Sequence, residues 1–111
     1  WDANEADTPK RYVQPVLSMT LDAAISTFSL PAPNYLKVDV DGGEIDVLQG
    51  ATETLANPAL RSILIEIDES QTDAVVKILE GSGFALARTH KGKHGKDAAT
   101  RVWYGVFHRK S

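Results

Sequence analysis

Residues 39–44, Asp39-Val40-Asp41-Gly42-Gly43-Glu44, place three carboxylates and two glycines in one short stretch. If a strand runs through Asp39 and Asp41, both side chains leave on the same face, because successive strand residues alternate. Glu44 then falls in the first turn of the helix that follows, where the macrodipole favours an acid. Such a set can hold a hard cation, or orient and deprotonate a hydroxyl group, with the glycines letting a ligand approach the backbone. A structural reading competes, and spacing alone leans towards it. In that reading Asp41 and Glu44 cap the helix while Asp39 accepts backbone hydrogen bonds in the turn. Glu66 is the second candidate, flanked by Ile65 and Ile67 and followed by Asp68 and Glu69. A carboxylate between isoleucines is costly if buried without a partner, so Glu66 is expected to face a cleft or meet a polar group.

Other chemistries find less support. The chain has no cysteine, which removes disulfides, thiolate nucleophiles and sulfur-ligated metal sites. His90, His94 and His108 have no metal-ligand spacing with the acids, and no metal site is expected. Neither a Gly-x-Gly-x-x-Gly turn, a Walker loop nor a nucleophile elbow occurs. Lys91, Lys93 and Lys96 cluster among glycines and read as a solvated loop rather than a phosphate site. A net charge of -3 gives no electrostatic reason to expect nucleic acid. No apolar run is long enough to span a bilayer, no signal-peptide pattern appears, and the cytoplasm is the favoured compartment.

Several elements must position these acids. In 111 residues that are 42% hydrophobic and 24% charged, one domain with a modest core is expected. Residues 1–12 read as a flexible lead-in, and residues 13–111 as the folded part. Val13, Val16, Leu17 and Met19 suit a short edge strand, interrupted by Pro15. Leu21, Ile25 and Phe28 predict a helix over about 22–29, closed by Pro31-Ala32-Pro33. A strand over 35–40 leads into a helix over 44–56, where Gly50 suggests a close approach to the sheet. A strand over 62–67 follows, then a helix over 70–80 with Ser70 as its cap. Residues 84–87 and 102–107 predict two more strands, paired antiparallel, with Trp103, Tyr104 and Phe107 in the core. With both crossover helices on one side, the other face of the sheet would lie bare, and the 22–29 helix could cover part of it.

The motifs now assembled resemble the FkbM-type methyltransferases. They are Thr20-Leu21-Asp22, then Leu36-Lys37-Val38-Asp39-Val40-Asp41-Gly42-Gly43-Glu44, then Val47-Leu48-Gln49-Gly50-Ala51, then Ile63-Leu64-Ile65-Glu66, and finally Gly83-Phe84. Asp41 stands where glutamate is commoner and Gly43 where alanine is commoner; neither change removes a carboxylate. The resemblance implies an α/β fold, a partial class I (Rossmann-like) methyltransferase sheet of parallel strands with a terminal antiparallel strand. On that template residues 35–40 and 62–67 are its fourth and fifth strands, and the last two its sixth and seventh.

It also implies S-adenosylmethionine as the cofactor and methyl transfer, chiefly to a sugar or other small-molecule hydroxyl. Asp39, Asp41 and Glu44 become the catalytic candidates, and Gly42 and Glu66 the substrate-binding ones. No cofactor-binding residue can be assigned, because the glycine-rich cofactor loop and the ribose-binding acid have no counterpart. The chain begins with Trp1 rather than methionine. The expectation is therefore a carboxy-terminal half that supplies the acceptor side and is inactive alone. Its partners would be a small-molecule substrate and either a missing N-terminal segment or a second copy covering the sheet, with no nucleic acid and no membrane. The alternative is a non-catalytic interaction module that completes its sheet with another chain.

Overall fold

The structure is a computed structural model that describes residues 12–91 and 101–111. Its elements are helix α1 (Leu21–Phe28), strand β1 (Tyr35–Val38), helices α2 (Glu44–Gln49) and α3 (Thr52–Ala56), and strand β2 (Ser62–Asp68). A 3-10 turn (Glu69–Gln71), helix α4 (Thr72–Gly81) and strands β3 (Phe84–Lys91) and β4 (Val102–Arg109) follow. The four strands form one sheet in the order β1-β2-β4-β3. β1 and β2 run parallel, while β4 lies antiparallel between β2 and β3. The expected mixed α/β sheet and its antiparallel last pair are therefore present.

Alternation along β2 divides the sheet into two unlike faces. Ile63, Ile65 and Ile67 are fully buried, with Ser62, Leu64, Glu66 and Asp68 between them only half-buried. Register carries the division across the sheet, because Leu36 lies opposite Ile63, which lies opposite Phe107. That face, with Val38, Leu48, Leu55, Leu60, Val75, Leu79 and Phe84, forms the core. Each such side chain contributes roughly 1.5–3 kcal/mol on burial. On the opposite face three cross-strand rows run Tyr35–Ser62–His108–Ala85, Lys37–Leu64–Val106–Arg88 and Glu66–Tyr104–His90. None of these residues is fully buried.

Helix α1 does not cover this open face. It is tied to the helix layer instead, with the Asp22 amide donating to the Gly50 carbonyl at 3.1 Å. The approach is close enough that a Cβ on Gly50 would stand 2.8 Å from Thr20 Cγ2. Gly50 thus makes room for the Thr20-Leu21-Asp22 segment, not for the sheet. The expected 44–56 helix is broken at the same place, and α3 restarts at Thr52. The Asp22 carboxylate fills the role of cap there. It accepts from the Glu53 amide (2.9 Å), the Thr54 amide (3.0 Å), the Thr54 hydroxyl (2.6 Å) and, more weakly, the Thr52 hydroxyl (3.4 Å).

Other expectations need correction. Residues 12–20 form no strand, and Val13, Val16 and Leu17 are exposed. Pro15 removes a ladder donor, and a four-residue apolar set so interrupted gains too little by pairing. Ser70 is not the cap of α4. Asp68 accepts from the Ser70 amide and hydroxyl (2.9 and 2.7 Å), which closes the 3-10 turn before α4 begins. β3 extends to Lys91 through a register shift between Leu86 and Arg88, so Lys91 is a strand residue. Lys93, Lys96 and the rest of the expected loop, like residues 1–11 of the lead-in, lie outside the described residues. Arg109, at the end of β4, donates to the carbonyls of Leu60, Leu55, Asn57 and Ser82 and lies 4.4 Å from the Phe84 ring centre. It joins the C-terminal ends of α3 and α4 to the sheet.

Candidate active site

The carboxyl ends of parallel strands are where open α/β sheets bind ligands, and β1 and β2 end side by side. β1 stops at Val38, opposite Ile65. Asp39 and Glu66 are the next residues on each strand, so the same register sets them level. Lys37 and Asp39 are two apart, and the Lys37 ammonium lies 4.0 Å from Asp39 Oδ2 with both side chains at least half exposed. This ion pair is a surface contact worth at most about 1 kcal/mol.

Glu66 is the most perturbed acid at this edge. Its carboxyl is raised above the ordinary 4.5, first by a hydrogen bond with the Asp39 carboxyl and then by burial, with the charges of Asp39 and Asp41 adding to the effect. A hydrogen bond from the Tyr104 hydroxyl to Glu66 Oε2, at 3.0 Å, opposes the rise. Asp39 and Asp41 thus make the charged form of Glu66 less favourable at this edge. The expectation that Glu66 meets a polar partner is met by Tyr104, which consequently is not a core residue. Nothing in the sequence separated Tyr104 from its aromatic neighbours except its place in the strand alternation. Trp103 turns to the covered face and donates from Nε1 to Thr72 Oγ1 at 2.9 Å.

The turn after Asp39 completes the edge. Asp41 and Gly42 are exposed, and Gly42 has φ 83°, a left-handed conformation that favours glycine and leaves open space where a Cβ would stand. Gly43 is the N-cap of α2 and no side chain caps that helix, so the capping role considered for Asp41 and Glu44 is not taken up. Glu44 is 1% exposed, one helical turn before the core residue Leu48, and its Oε2 has no hydrogen-bond partner among the described residues. The structure therefore brings Asp39, Asp41, Gly42 and Glu66 to one edge and buries Glu44 at the start of α2.

The described residues contain no group of three or more His, Asp or Glu side chains arranged to hold a metal ion, and no helix long and apolar enough to cross a membrane. For S-adenosylmethionine the fit is partial. Its sulfonium charge suits the acidic strand ends at Asp39 and Asp41, while no glycine-rich loop for the rest of the cofactor is present in the sequence.

The α/β sheet, with β4 inserted antiparallel and acids at its parallel strand ends, has the arrangement that the resemblance to FkbM-type methyltransferases implies. Residues 4–86 match the family described as the methyltransferase FkbM domain, and the chain belongs to that family. The crystal structure of M1.HpyAVI is similar, with a TM-score of 0.56 at 14% sequence identity, and the match covers 85% of this chain. At that identity the likeness concerns the fold alone. This chain spans about half of that one, 54% of its length. No curated protein matches the sequence.

Proposed function

We propose that this chain supplies the acceptor side of an S-adenosylmethionine-dependent O-methyltransferase acting on a sugar or other small-molecule hydroxyl. The observation that carries this reading is the level pair of Asp39 and Glu66 at the carboxyl ends of β1 and β2, beside an open glycine turn. The cofactor, when bound, supplies an electrophilic methyl group on sulfur. The protein's own residues would do the rest. Asp39, half exposed, accepts the hydrogen of the acceptor hydroxyl and orients its oxygen, and Glu66, its carboxyl raised by Asp39 and by burial, stands beside it as the second acid of the pair. Asp41 adds negative charge where a cationic donor would approach, and Gly42 lets the substrate close on the backbone. Holding the hydroxyl in line would supply much of the rate.

The exposed Val13, Val16 and Leu17 and the open sheet face favour a second reading, an interaction module that completes its sheet with another chain or a second copy. A labelled-methyl transfer assay with the full-length gene product and a panel of sugars and small hydroxylated acceptors separates the two. Transfer that falls at least roughly 100-fold in Asp39→Asn is expected from loss of an acid–base group. Transfer undiminished in that variant would overturn the role of Asp39, and no transfer to any acceptor would favour the interaction module.

A further inference from the structure

Tyr104 lies outside the motifs that drew attention to this edge, yet its side chain reaches the candidate site. We infer that Tyr104 is a positioning residue, its hydroxyl holding the Glu66 carboxyl in place beside Asp39. The inference rests on the reading of Asp39 and Glu66 as the acceptor site. Glu66 and Tyr104 are direct cross-strand partners on the open face, and the phenol donates to Glu66 Oε2 at 3.0 Å. β4 is hydrogen-bonded to β2 on one side and β3 on the other, so the donor stands on an interior strand of the sheet. Asp39, in contrast, sits beyond the end of β1 and is half exposed.

The chemistry follows from the donor inventory. A phenol has a single O–H, so it satisfies one oxygen of Glu66 and leaves the other carboxyl oxygen free to bond elsewhere. Bonding to the anion favours the charged form of Glu66, whereas Asp39 beside it favours the protonated form. Tyr104 therefore opposes the rise that Asp39 causes in Glu66. The charged and titratable groups facing this pair are Lys37 and Asp39 from β1 and its end, Asp41 from the turn, and His90, the cross-strand partner of Tyr104 on β3.

The test is a carboxyl-carbon NMR titration of Glu66 in the 111-residue chain, comparing wild type, Tyr104→Phe and Asp39→Asn. Tyr104→Phe should move the Glu66 midpoint upward and Asp39→Asn should move it downward. An unmoved Glu66 midpoint in a folded Tyr104→Phe protein would overturn the inference. Should that variant fail to fold, an ultraviolet titration of the three tyrosines decides with Tyr104 intact. One tyrosine should ionise late in wild type, because hydrogen bonding to Glu66, burial and the nearby negative charge raise Tyr104 above 10.0. It should ionise earlier in Glu66→Gln, and unchanged curves would count against the contact. Neither titration uses cofactor or acceptor. A failure here removes Tyr104's role and leaves methyl transfer standing, while absent methyl transfer with both shifts seen removes the reaction and leaves the contact.

Discussion

Replacing Asp22 by alanine tests whether the Thr-Leu-Asp segment holds the helix layer together. The carboxylate accepts from two backbone amides and the Thr54 hydroxyl at 2.6–3.0 Å, and Thr54 is only 5% exposed. Losing a helix cap costs typically ~1 kcal/mol. Stranding a buried hydroxyl and amide adds to it, and bonds to charged groups are each worth more than neutral ones. The Thr52 contact, at 3.4 Å and exposed, is given no weight. Together these give a destabilisation of about 2 kcal/mol. With an unfolding entropy near 2.1 cal/mol/K per residue, the melting temperature of the 111-residue chain should fall by about 9 °C.

The pH dependence supplies an internal check. Burial pushes the Asp22 carboxyl up, but the bonds from Thr54, the Glu53 and Thr54 amides and Thr52 outweigh it, leaving it below its ordinary 3.8. A depressed carboxyl contributes stability that is present above 3.8 and lost as pH falls through the folded value. The gap between wild type and Asp22→Ala should therefore hold near neutrality and shrink below pH 3.8. Calorimetric or circular-dichroism melting of both proteins at neutral and acid pH reads it. A neutral-pH loss under about 0.5 kcal/mol, the range of an ordinary surface substitution, would refute the reasoning.

Gly50→Ala should destabilise by about 2 kcal/mol, because the new methyl would stand 2.8 Å from Thr20 Cγ2 and 2.9 Å from Thr20 Cβ. Adding Thr20→Ser removes Cγ2 but keeps the hydroxyl that caps α1 through the Ala23 amide, so urea denaturation of the double variant should show partial recovery. Arg109→Lys keeps the charge but loses the planar fork that reaches four carbonyls, and should cost about 2 kcal/mol in the same assay.

Periodicity is a local property, and it located what local forces decide. The apolar run over 62–67 announced a parallel strand, though it read as covered on both faces where only Ile63, Ile65 and Ile67 are buried, and the acids at 39, 41 and 66 announced two strand ends. The break at Gly50 was misread because the sequence shows a weak helix position but not what approaches it, which is Thr20 from thirty residues away. Tyr104 was assigned to the core because aromatic content in a strand does not say which face a side chain takes; only its register against Glu66 does. Arg109 left no signal at all. Its partners are backbone carbonyls at the ends of other elements, and a carbonyl looks alike at every position of a sequence.

The placement of β4 bears on how the polypeptide acquires its structure during synthesis. β4 is made after β3, yet it stands between β3 and β2 and supplies the hydrogen-bonding partner of each. A growing chain that has exposed only β1 to β3 has no ladder to hold β3 and an unpaired flank along β2. Glu66 in that interval lacks Tyr104 opposite it. Final assembly must wait for a segment made late, and the slow, long-range pairing it requires leaves a window in which another strand could take the vacant slot.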